Sequence, residues 1–76
     1  MADERSRIEI GFDGGQIMGA LVNTTSIDEL ERRLENGEDG TVVLDADDGR
    51  YLVALGRVVY VKRFAREARV GFGAQQ

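Results

Sequence analysis

Apolar and polar positions sort the chain into six short segments. Arg7-Ile8-Glu9-Ile10-Gly11-Phe12 alternates, with Ile8, Ile10 and Phe12 on one side, as in a strand with one buried face. Asp13-Gly14-Gly15 is a turn signal, because Asp and Gly accept the positive φ of hairpin turns. Residues 16–22 then read as the return strand, with Gly19 marking a weak point or a bulge. Ile27, Leu30 and Leu34 recur at helical spacing and form one apolar stripe. Ser26-Ile27-Asp28-Glu29 before them has capping-box form, and Gly37 after them supplies a left-handed stop. The spacing predicts a helix of about nine or ten residues, too short to stand alone in water.

Three β-branched and aromatic runs follow. Residues 41–46 and 50–55 flank Asp47-Asp48-Gly49, a strong hairpin signal, and residues 57–64 form a further strand beyond Gly56. Residues 65–69 read as a short turn or one helical turn, and 70–73 as a last edge strand. The expected fold is α+β, an antiparallel sheet of four to five strands with one helix packed on it, in the order ββαββ(β). A single domain over residues 7–73 is expected between a disordered tail at 1–6 and a frayed end at 74–76.

The middle strands are apolar on both faces. Val42, Val43 and Leu44 are consecutive, as are Leu52 to Leu55 and Val58 to Val61. A sheet with one wet face alternates instead. A helix of ten residues is about 15 Å long and cannot cover two faces of such a sheet. The surplus points to a second copy of the chain, a homodimer or higher oligomer meeting sheet to sheet or edge to edge, with Val43, Val53, Val59 and Val61 as the expected contact residues. The competing solution is a sheet that coils into a small partial barrel and covers itself.

Composition narrows the chemistry. The chain has 76 residues, no Cys, no His and no Pro. There is room for one domain with a marginal core, and neither disulfides nor a zinc finger can reinforce it. An apolar fraction of 42% against 32% charged residues is globular rather than disordered. The charged start Met1-Ala2-Asp3-Glu4-Arg5-Ser6 has no apolar core of a secretory signal, and no run approaches the ~20 apolar residues of a membrane span. A cytoplasmic protein is expected.

Charge is bipolar. Residues 1–48 hold 13 acids against four arginines, whereas residues 49–76 hold Arg50, Arg57, Lys62, Arg63, Arg66 and Arg69 against Glu67 alone. Intramolecular pairing is the plainer account of this. The sharper one makes those six cations a site for an anionic ligand or single-stranded RNA, with Tyr51, Tyr60, Phe64 and Phe72 interleaved to stack bases. Against it stand a pI near 4.7 and the absence of the Gly-Phe-Gly/Ala-Phe core of RNA-recognition motifs.

Catalytic signals are poor, since the commonest acid–base and nucleophilic residue types are missing. Lys62 among aromatics is more simply a snorkelling edge lysine. Asp45, Asp47 and Asp48 do not match the calcium-loop spacing, and Gly11, Gly14, Gly15 and Gly19 spell neither the P-loop nor the dinucleotide fingerprint. No catalytic residue, cofactor or metal site is assigned.

Several stretches together resemble a family of small actinobacterial proteins known as a domain of unknown function. They are Ile8-Glu9-Ile10-Gly11, Ser26-Ile27-Asp28-Glu29-Leu30, Gly49-Arg50-Tyr51-Leu52-Val53, Arg57-Val58-Val59-Tyr60-Val61 and Ala68-Arg69-Val70-Gly71-Phe72-Gly73. The resemblance spans roughly residues 7–73 and implies a cytoplasmic location and a shared fold, but no activity. An ATP-binding label sometimes attached to such proteins finds no glycine motif here, and Lys62-Arg63-Phe64 stands where the family usually has a Glu and small residues. A small non-catalytic protein-interaction module, self-associating through its sheet or meeting another protein, is therefore the expected function. Anionic-ligand or single-stranded RNA binding is second.

Overall fold

The computed structural model describes residues 4–65. It is an α+β fold: strands β1 (Arg5–Phe12) and β2 (Ile17–Asn23), helix α1 (Thr24–Glu35), strands β3 (Thr41–Ala46) and β4 (Gly49–Ala54), a 3₁₀ turn (Leu55–Arg57) and strand β5 (Val58–Arg63). The five strands form one antiparallel sheet in the order β4-β3-β2-β1-β5. The expected turn at 65–69, last strand at 70–73 and frayed end at 74–76 lie outside the described residues, apart from Ala65.

The local signals act as their chemistry dictates, with three differences. First, β1 begins at Arg5, inside the stretch expected to be a disordered tail, because Arg5 and Ser6 pair with Asn23 and Val22. Second, the helix starts earlier than the Ser26 capping box predicts and runs for 12 residues. Asn23 is the cap: its side-chain Oδ1 accepts from the backbone N–H of Thr25 at 2.8 Å and of Ser26 at 3.4 Å. Asn caps as well as Ser does, and here it lies at the end of a strand that leads into the helix without a loop. Ser26 is released from capping, and its Oγ accepts from Asp45 N at 3.2 Å, tying the helix to β3. Third, Gly19 makes no bulge, since β1 and β2 stay in register through Glu9↔Gly19. The bulge is in β5, where Val59 is the extra residue between Val58, opposite Phe12, and Tyr60, opposite Gly11.

The helix stop is as expected. Gly37 has φ +69, its N–H donates to Leu34 O at 3.0 Å, and Glu38 N–H donates to Arg33 O at 3.0 Å, which is the Schellman pattern.

How a short chain closes its core follows from strand register. β2 and β3 pair only at Val22↔Ala46. From that pair β3 runs back to Thr41 in one direction and β2 back to Ile17 in the other. In a flat sheet those ends would stand about 33 Å apart along the strands. Yet Ala54, opposite Thr41, and Val58, opposite Phe12, are joined by the three residues of the 3₁₀ turn. Four extended residues reach only about 14 Å, and a 3₁₀ turn less. The sheet therefore coils strongly, with the stagger between its two edges that closing a barrel demands. Leu55 N–H to Gly40 O at 2.8 Å and Asp13 N–H to Arg57 O at 2.9 Å fasten the turn to both halves.

The concave side is the core. Ile8, Ile10, Val22, Val42, Leu44, Ala46, Val53 and Leu55 meet Ile27 and Leu30 of the helix in one cluster, with Phe12, Met18, Leu34, Tyr51, Val58 and Val61 packed around it. Coiling supplies the cover that one helix could not. It does nothing for the convex side.

Candidate functional site

Every strand turns alternate residues to the convex face, and register says which ones meet there. On the hairpin of β3 and β4 they are the opposed pairs Thr41↔Ala54, Val43↔Leu52 and Asp45↔Arg50. On the other half three rows run across β2, β1 and β5. They are Leu21–Arg7–Phe64, Gly19–Glu9–Lys62 and Ile17–Gly11–Tyr60, with Phe64 N–H donating to Arg7 O at 3.0 Å.

This face carries the apolar residues the core does not use. Leu52 is 69% exposed, Val59 67% and Ile17 63%, with Val43, Tyr60 and Leu21 also exposed. Of the four residues expected to mediate self-association, Val43 and Val59 are on the surface. Val53 is a core residue, and Val61, opposite Ile10, packs against the core. Both point inward because strand alternation puts them one position away from outward-facing Leu52 and Tyr60. Leu52, Leu21 and Ile17 are the outward residues that reading the sequence did not single out. A continuous apolar run hides which of its members faces which way, and only pairing partners fix the phase.

The expected anion-binding cations do not gather in one place. Arg63 faces the helix, where its Nη1 meets Asp28 at 3.0 Å and Glu31 at 3.1 Å. Arg57 pairs with Asp13 at 3.2 Å beside the β1–β2 turn. Arg50 sits opposite Asp45 on β4, while Lys62 is on the convex face of β5. Arg66 and Arg69 lie outside the described residues. Two open depressions follow these pairs, one beside Phe12, Gln16 and Arg57, the other beside Thr24, Asp28 and Arg63.

Two tyrosine hydroxyls are committed to carboxylates. Tyr60 donates to Glu9, and Tyr51 donates to Asp48 at 2.7 Å. Each hydrogen bond, made to the protonated phenol, raises the tyrosine's pKa above its ordinary value. The Tyr60 ring also lies across Gly11, its ring carbons standing where a Cβ would be. Only glycine allows that approach. Arg7 and Lys62 flank the Phe64 ring, 5.8 and 4.5 Å from its centroid. Among the described residues no three Asp or Glu side chains come together as metal ligands, and no helix is long and apolar enough to cross a membrane.

Comparison with protein-family models, with curated proteins and with solved structures finds no match.

Proposed function

We propose that the protein is a small, non-catalytic, cytoplasmic interaction module whose partner is a second copy of itself, joined through β4. The observation that carries this reading is Leu52, 69% exposed on an edge strand and directly opposite exposed Val43. An apolar edge strand with free backbone groups is a template for strand addition. Natural edges are usually blunted by Lys, Pro or a bulge. β4 has none of these, whereas the other edge, β5, has a bulge at Val59 and two terminal cations.

Charge favours a copy over a different partner. The molecule has a net charge of −4, but the patch around Val43 and Leu52 is neutral, its Asp45 facing its own Arg50. A two-fold contact repeats each charge across the interface, so a neutral patch avoids self-repulsion. Antiparallel addition of β4 to β4 places Leu52 near the axis and gives both edges their hydrogen bonds. Membership of the actinobacterial family is proposed on the same terms, from the segments at residues 8–11, 26–30, 49–53, 57–61 and 68–73.

Sedimentation equilibrium decides the matter. A species near 17 kDa at micromolar concentration is expected, twice the chain mass of 8.4 kDa. Leu52→Asp is expected to give a folded monomer, because an exposed position tolerates the charge. A wild-type chain that stays at 8.4 kDa up to several hundred micromolar would overturn the reading.

A further inference from the structure

The other half of the convex face has a different character. Along β5 and the residue that follows it, Tyr60, Lys62 and Phe64 point outward in succession, about 6.7 Å apart at strand rise. Arg7 lies opposite Phe64 on β1. The cations here differ from most others among the described residues, although Arg5 and Arg50 also lack an ion-pair partner there. Arg32, Arg33, Arg57 and Arg63 each have a carboxylate within ion-pair distance. Arg7 and Lys62 have none among the described residues and flank the Phe64 ring instead. Tyr60, spread over Gly11, keeps 41% of its surface exposed.

We propose that this ring–cation–ring row, completed by Arg7, binds single-stranded nucleic acid. The open face of Tyr60 takes a base, Phe64 holds Arg7 and Lys62 beside it, and those two cations take the flanking phosphates. Base stacking on aromatic side chains is sequence-tolerant, and cations along a groove or sheet track the backbone. A duplex offers no free base faces, so the site discriminates by strandedness. An acidic peptide would satisfy Arg7 and Lys62 but would leave the tyrosine face unused. Glu9, opposite Lys62, is an opposing charge, and its carboxylate already accepts from the Tyr60 hydroxyl. Glu9 therefore limits affinity and orients the ring. The row lies on a different half of the sheet from the Val43–Leu52 patch, so it does not depend on self-association.

The test is fluorescence anisotropy with a labelled uridine decamer, the same decamer annealed to its complement, and inorganic polyphosphate as competitor. At 50 mM salt the single strand is expected to bind in the micromolar range, with a log–log salt slope near −1.4 for two phosphates, about −0.7 each. Tyr60→Leu is expected to weaken binding about tenfold, Tyr60→Phe to leave it nearly intact, and Arg7→Gln/Lys62→Gln to flatten the salt slope. Glu9→Gln is expected to tighten it several-fold, and Leu52→Asp to leave it unchanged. No binding of the decamer at 50 mM salt, equal binding of the duplex, full displacement by polyphosphate at equal phosphate concentration, or indifference to Tyr60→Leu would each overturn the proposal.

Discussion

Arg33 donates three side-chain hydrogen bonds. Its Nε donates to Glu38 Oε1 at 2.9 Å, its Nη1 to Thr41 O at 2.8 Å and its Nη2 to Asp39 O at 3.2 Å. One guanidinium thus fixes the whole connection from α1 to β3, and Gly40, with φ +97, turns the chain beneath it. A planar fork does this where an ammonium cannot. Arg33→Ala is expected to cost about 1–3 kcal/mol in urea unfolding, and Arg33→Lys to recover little of it. The same contact sets an acid sensitivity. Hydrogen bonds from Arg33 and then from Asn36 hold the Glu38 carboxyl below the usual glutamate range. A carboxylate whose folded pKa is depressed gives stability that is present above its unfolded pKa and is lost as pH falls through the folded one. Glu38→Gln is therefore expected to flatten the fall of stability between about pH 5 and about pH 3, relative to the parent protein. Identical slopes in the two titrations would remove Glu38 from the account.

At the scale of elements, the segments that could be read in advance are those whose signals are local. The alternation of residues 7–12, the glycine-bearing turns at 13–15 and 47–49, the Ile27–Leu30–Leu34 stripe and the Gly37 stop need only near neighbours, and all act as expected. The helix start was less legible, because Asn23, Thr24, Thr25 and Ser26 are all acceptable caps in isolation. The choice falls to Asn23, since β2 hands the chain directly to the helix and Thr24 N–H is taken by Glu4 O at 3.0 Å. Asn23→Ala is expected to cost about 1 kcal/mol, and Asn23→Ser to cost much less. Ser26→Ala would leave the helix start intact and would unpair Asp45 N–H instead. Thermal unfolding of the three variants separates these roles. The position of the bulge is illegible for a similar reason. A glycine can mark a bulge, but Gly19 fits the regular ladder, and the extra residue falls at Val59, which no sequence rule flags. The candidate surface was legible in kind and not in detail. Two-faced apolar runs announced an outer greasy face, but the phase within each run came only from pairing. That is why Leu52 belongs on the surface and Val53 does not.

The whole molecule turns on a connection that reads as an interruption. Leu55-Gly56-Arg57 breaks an apolar run, yet it joins strands at opposite edges of the sheet and so compels the coil. Leu55 is the buried residue of that turn, at 3% exposure, three positions from Leu52 in the same run. The two leucines should therefore answer opposite questions. Leu55→Ala opens a cavity where the two halves of the sheet meet, and is expected to cost about 2–5 kcal/mol. Leu52→Ala removes side chain from the convex face, and in the dilute monomer is expected to change stability by no more than about 0.5 kcal/mol. Concentration then separates folding from association. An associated native state melts at a temperature that rises with protein concentration, because dissociation precedes or accompanies unfolding. The parent protein and Leu55→Ala should both show that rise, the latter from a lower starting point. Leu52→Ala should show a smaller rise, and Leu52→Asp none. If Leu52→Ala destabilised the dilute protein as much as Leu55→Ala, the convex face would be part of a core, and neither the coil nor the second copy would stand as described.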